Sequence, residues 1–143
     1  MAEPAQRFTP LSADDEAGLA KQRAVVEVLI EGNEDALAKY ATPAGKLGVL
    51  RAILQAGVFK PTQTYELQCL GIVLGDVFAS QLGMVWRMVE DEHGRDPCLV
   101  VPGTSVVIFP LTMISKRVER GQDLDVFELY NAVADGVTSH MSR

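Results

Sequence analysis

From Leu67 to Phe78 the chain is apolar around most of a helical cylinder, and this constrains what the rest of it can fold into. Leu67, Leu70, Leu74 and Phe78 recur at helical spacing on one side, while Ile72, Val73 and Val77 widen the arc. A helix apolar on most sides must be wrapped by other elements. Gly71 and Gly75, four apart, leave a shallow notch where another backbone can approach closely. Glu66, Cys69, Asp76 and Ser80 form the narrow polar stripe. Asp76 on such a helix reads first as a carboxylate that caps or meets a basic side chain, and second as a site carboxylate. Gln68, Asp76, Ser80 and Gln81 interrupt the apolar run, so it does not read as a membrane span.

Gly83 ends this helix and a strand follows at once. Met84, Trp86 and Met88 alternate with Val85, Arg87 and Val89, which puts Arg87 on the face of the two valines. The turn formers of Asp91–Pro97 lead to a second strand at Cys98–Val101. Pro102-Gly103 then turns the chain into a third, β-branched strand over Thr104–Phe109. The expectation is a three-stranded antiparallel meander, which needs helices on at least one face. Pro110 opens a helix with Leu111, Ile114 and Val118 on one side, ended by Gly121. Asp125 and Glu128 make a capping-box-like start for the last helix.

Upstream, residues 1–11 read as a loose tail. Ser12 caps a helix whose first turn holds Asp14, Asp15 and Glu16 against the positive end of its dipole. Leu19, Val26, Leu29 and Ile30 share its apolar face. Asn33 caps a short helix ending near Tyr40, and Thr42-Pro43 starts a third carrying Leu47, Leu50, Ile53 and Leu54. The fold class is therefore α+β: N-terminal helices, a central buried helix, a three-stranded meander and two C-terminal helices. The Lys60-Pro61 step divides a lead-in (1–60) from an α+β part (61–143), the two forming one compact unit.

Composition excludes several classes of function. With 48% hydrophobic and 22% charged residues, a chain of this length can bury a real core. Its net charge of −6 opposes nucleic acid and anionic membranes and suits a basic partner. The charge is uneven: residues 1–60 hold 8 acidic and 7 basic side chains, residues 61–143 hold 11 and 6. Cys69 and Cys98, far apart, read as buried thiols of a cytosolic protein. The first residues lack the basic and apolar regions of a signal peptide, which again points to the cytoplasm.

The runs LGIVLGDVF, LGMVWRMVEDEHGRDPCLVVPG and FPLTMISKRVERG, in that order, resemble a bacterial domain family known as DUF3806. The resemblance covers roughly residues 65–138 and rests on the glycine-punctuated helix, the W-x-x-x-x-D-E-x-G-R-D strand and turn, and the P-x-x-x-x-x-K-R helix. It implies a bacterial origin and a domain boundary. As the family is one of unknown function, it implies no activity and no site.

The candidate site residues come from the chain itself. Glu90, Asp91, Glu92, His93 and Asp96 crowd four carboxylates and an imidazole into seven positions beside Arg95. Counted as a calcium loop, the third and fifth positions would be His93 and Arg95, so that template fails. Zinc needs more histidine or cysteine than the chain offers. No catalytic-serine or phosphate-loop motif occurs, so no catalytic residue, metal or cofactor is expected. A solvated turn is the plain reading of the 90–96 run. Lys116, Arg117 and Arg120 form a basic segment that complements its helix dipole and could answer the turn's carboxylates. Trp86 reads as core. The functional expectation is a non-catalytic module that binds a basic protein, of the kind immunity proteins exemplify, through Glu90 to Asp96. Two alternatives remain: an enzyme or ligand pocket where Asp76, Trp86, Arg87 and Asp91 converge, and a homo-oligomer joined by an apolar strand edge.

Overall fold

The computed structural model describes residues 6–141. Its elements run β1 (Arg7–Thr9), α1 (Ala13–Glu27), α2 (Glu34–Tyr40), α3 (Pro43–Gln55), α4 (Thr64–Leu82), β2 (Val85–Asp91), β3 (Gly94–Val100), β4 (Val107–Ile108), α5 (Met113–Glu119) and α6 (Val126–Met141). Short 3-10 turns lie at Val28–Ile30 and Pro110–Thr112. The fold is mixed α+β. Of the loose tail expected over residues 1–11, positions 1–5 lie outside the described residues.

The sheet has four antiparallel strands in the order β1-β2-β3-β4, one more than the sequence suggests. The added strand is Arg7–Thr9, expected to belong to a loose tail; it pairs along Met88–Glu90. Three residues with a proline next to them carry too little pattern to read as a strand. The open edge of β2, distant in sequence, supplies the backbone partners that make them one.

The other strand limits also shift, each for a local reason. β2 and β3 run on through the charged segment to a two-residue turn at Glu92 and His93, with Asp91 opposite Gly94. Asp91 Oδ1 accepts from the His93 N–H at 2.8 Å, and Gly94 takes a positive φ of 133°. Pro97 is tolerated because β4 reaches only Leu99 and Val100, so β3 is an edge there. β4 is shorter than expected because Thr104 is spent on the preceding loop. Its hydroxyl donates to the Val101 carbonyl at 2.8 Å and accepts from the Val106 N–H at 3.1 Å.

The helix limits follow their caps. Ser12 and Asp15 form a reciprocal capping box, Asn33 and Thr42 cap α2 and α3, and Gly83 closes α4 in the left-handed region. Leu29 is the exception on the first helix. The chain tightens to a 3-10 turn there, so Val26 and Ile30 stay buried while Leu29 is exposed.

One core runs through the molecule, with α4 at its centre. Ten of its residues between Leu67 and Phe78 are buried, and seven of these pack in one cluster with Val26, Leu47, Leu50, Ile53, Leu99, Ile114, Val126 and Val137. Residues on both sides of the Lys60-Pro61 step therefore share it. The glycine notch works as its spacing implies. A Cβ on Gly71 would lie 2.5 Å from the Pro110 carbonyl oxygen, and one on Gly75 would lie 2.5 Å from the Trp86 ring. Trp86, Leu99 and Ile108 are cross-strand neighbours, so this row is the sheet face turned to α4. On α6, Tyr130 stacks on Phe78 with centroids 5.0 Å apart.

Candidate functional site

Asp76 and Trp86 meet, and they do so around a residue the sequence did not single out. The alternation that turns Trp86 toward α4 lets its indole N–H donate to Asp76 Oδ1 at 3.0 Å. Arg23 of α1 grips the same carboxylate in fork fashion, Nε to Oδ2 at 2.7 Å and Nη2 to Oδ1 at 2.9 Å. Asp76 thus accepts three hydrogen bonds and holds α1, α4 and β2 together. The Asp76 hydrogen bond, opposed by burial, raises the Arg23 pKa further. Nearby Tyr40 is pushed up to about 12, chiefly by burial, with the ammonium of Lys46 4.1 Å from its ring centroid. A carboxylate so fully engaged is a clasp, the first of the two readings of Asp76. Arg23 gave no signal because its partner lies 53 residues away.

Arg87 and Asp91 do not join this group. Both alternate onto the opposite face of β2, where Arg87 donates to the Trp86 carbonyl at 3.0 Å and faces Cys98 across the strands. The four side chains of the anticipated pocket are therefore split between two sheet faces. Both thiols are free and buried. Burial pushes the Cys98 thiol up to about 11, against the opposing pull of Arg87, and raises that of Cys69.

The charged hairpin gains a second acidic segment from α1. Arg95 forms a two-pronged pair with Asp15, Nη2 to Oδ2 at 2.7 Å, while the same Oδ2 accepts the Ser12 N–H at 2.8 Å. Asp15 is thus posed by its own capping box before the hairpin meets it. The Arg95 guanidinium, helped by the Ser12 backbone, holds the Asp15 carboxyl well below the usual carboxylate range. The Arg95 pKa is raised in turn, with the Asp15 bond as the largest cause. Glu90 meets Arg7 of β1 at 3.6 Å, and Glu92 lies 3.3 Å from the His93 ring. Asp96 and Glu92 point to solvent, as do Asp14 and Glu16 next to Asp15.

Lys116 and Arg117 sit elsewhere. Arg117 donates to the Met113 carbonyl at 2.7 Å, Lys116 is exposed, and neither they nor Arg120 pair with the 90–96 carboxylates among the described residues. The expected ion network across the surface is replaced by Arg7 and Arg95, because β1 and α1, not α5, border the hairpin. Among the described residues, no group of three or more His, Cys, Asp or Glu side chains could hold a metal ion. No helix among them is long and apolar enough to cross a membrane.

These features define a class: an α+β domain built on a glycine-notched central helix that carries a four-stranded sheet with a charged hairpin. The chain belongs to the family described as "Domain of unknown function (DUF3806)", which matches residues 46–130, more than half of its length. The match begins inside α3, so it takes in a helix that the quoted motifs leave out. No curated protein matches the chain. A solved crystal structure from Bacteroides thetaiotaomicron VPI-5482 is similar, with a TM-score of 0.74 at 17% identity. The similarity covers 94% of this chain and 49% of that one, so the chain spans about half the length of the solved relative. At that identity the likeness speaks for the fold alone.

Proposed function

We propose that the chain is a non-catalytic protein-binding module of the bacterial cytoplasm, acting through the face formed by the β2–β3 hairpin and the first turn of α1. The carrying observation is the Arg95–Asp15 pair, which joins two acidic segments 80 residues apart into one surface. That surface holds Asp14, Asp15, Glu16, Glu90 and Glu92 against Arg7 and Arg95, while Asp91 and Asp96 alternate onto the other face of the hairpin. Such an imbalance steers a basic partner to the surface and speeds encounter. The division of labour fits this reading: paired charges (Asp15, Glu90, Arg95) fix the hairpin, while exposed Asp14 and Glu16, and Glu92 at the tip beside His93, are left for a partner. An immunity-type role, in which an acidic protein masks a basic one, is the form the proposal takes. Two buried free thiols suit a reducing compartment.

The test is affinity capture from native bacterial lysate at low and high salt, using the wild-type chain and a variant with Asp14, Glu16 and Glu92 changed to lysine. A specific basic protein, held at low salt and lost on charge reversal, is the expected result. Capture of no specific protein, or capture that survives the reversal, overturns the proposal.

A further inference from the structure

A second region, sharing no residue with the hairpin, has the features of a small-molecule site. Where the C-terminal turn of α3 meets the start of α4 and the α5–α6 loop, a cleft of about 370 Å³ opens over Ile53, Phe59, Leu67, Leu70 and Val118. It continues through Gln55, Asp123 and Leu124 into a polar end of about 280 Å³ that reaches Arg51, Asp125 and Glu128. The first volume alone falls at the lower end of the range for ligand pockets. All of these residues lie inside the family-matched segment.

The polar end holds a guanidinium that is ion-paired but has no hydrogen-bond acceptor among the described residues, beside carboxylates that enter no ion pair there. Arg51 makes no hydrogen bond among the described residues, and its buried Nε has no partner. Its guanidinium lies 4.2 Å from the Phe127 ring centroid and 3.7 Å from Asp125, beyond hydrogen-bond reach. Asp125 is already engaged, since its Oδ1 accepts from the Phe127 and Glu128 N–H groups at the start of α6. Asp123 and Glu128 are exposed and enter none of the ion pairs among the described residues. A guanidinium that lacks acceptors is complementary to a carboxylate, and two unpaired carboxylates beside it are complementary to an ammonium. The apolar floor next to them is complementary to a hydrocarbon side chain.

We propose that this cleft binds a free apolar α-amino acid. Its carboxylate meets the outer nitrogens of Arg51, its ammonium meets Asp123 and Glu128, and its side chain lies on Leu54, Phe59 and Val118. All three parts of the cleft are used by one ligand class, which neither a simple amine nor a simple fatty acid achieves.

Titration of the full chain, followed by amide shifts, separates these contributions with three probes: L-phenylalanine, phenethylamine and 3-phenylpropionate. L-phenylalanine is expected to bind about tenfold more tightly than either fragment, with shifts centred on residues 51–55 and 118–128. Arg51→Met should erase its advantage over phenethylamine. Asp123→Asn combined with Glu128→Gln, both on exposed side chains, should erase its advantage over 3-phenylpropionate. Gln55→Trp, at the exposed rim, should abolish binding of all three. The proposal is overturned if L-phenylalanine gives no saturable shift up to its solubility limit, if the three probes bind alike, or if the shifts map away from the cleft. Partner capture through the hairpin is unaffected by any of these outcomes, so the two proposals fail separately.

Discussion

Asp15 and Asp76 are each gripped in fork fashion by an arginine, and each ties α1 to the sheet side of the molecule, yet they do different work. Arg23 and Asp76 are partly buried, with side-chain exposures of 30% and 21%, and the Trp86 indole completes the cluster. Arg95, at the hairpin end, is more exposed, with 42% of its side chain open to competing solvent and salt, although the Asp15 carboxylate it covers is only 9% exposed. Removing Asp76 strands a partly buried guanidinium and an indole N–H, whereas removing Asp15 leaves a single, more exposed guanidinium that water can rehydrate. The contrast separates a structural clasp from a surface fastening whose neighbours are free to bind something else.

Breaking the clasp should produce the largest effect. Asp76→Ala leaves the Arg23 guanidinium and the Trp86 N–H without their acceptor, and a loss of about 3 kcal/mol in urea unfolding is expected. A loss no greater than that caused by Asp15→Ala would erase the distinction between the two pairs. Next comes Gly75→Ala, which drives a methyl into the Trp86 ring from the α4 side. Overpacking of this kind costs about 1–3 kcal/mol, and the emission of the lone tryptophan should shift with it. Unchanged emission would show that the ring is not wedged against α4.

Asp15→Asn should cost much less at neutral pH but change the acid limb of stability. The folded-state Asp15 pKa is depressed, so its contribution is complete above the unfolded value near 4 and is lost as pH falls through the lower folded value. Urea midpoints at neutral pH and at about pH 3 should therefore lie closer together in the variant than in the wild type. An identical acid limb would mean that Arg95 does not hold Asp15 in solution. The smallest effect concerns the thiols. With Cys69 and Cys98 fully buried and both pKa values raised, neither should react with an aromatic disulfide reagent until the chain unfolds. Rapid labelling of Cys98 in the native protein would show that the outer face of the sheet opens readily.

What could be read in the sequence has a common character. The α4 helix, the caps at Ser12, Asn33 and Thr42, and the notch at Gly71 and Gly75 all rest on residues within one or two turns of each other. The role of Asp76 was legible in kind, a carboxylate awaiting a cation, though the cation was not. Misreadings arose where the partner was remote. Arg7–Thr9 is a strand only because β2 has an open edge, and the strand limits of the hairpin were set by pairing in spite of the turn-forming residues there. The functional surface divides in the same way. Its hairpin carboxylates stood out by density, while the contribution of α1 did not.

The sequence by itself determined the helices and their caps, because periodicity, capping and the conformational freedom of glycine act over a few residues. It determined the pose of Asp15 too, since the Ser12 capping box orients that carboxylate locally. Only the tertiary structure decided which arginine each aspartate would meet. Arg23 and Asp76 are 53 positions apart, Asp15 and Arg95 are 80, and Arg51 finds the α6 start from a different helix. A charge announces its need for a partner in the sequence, but the partner is chosen by how the core packs the elements that carry it.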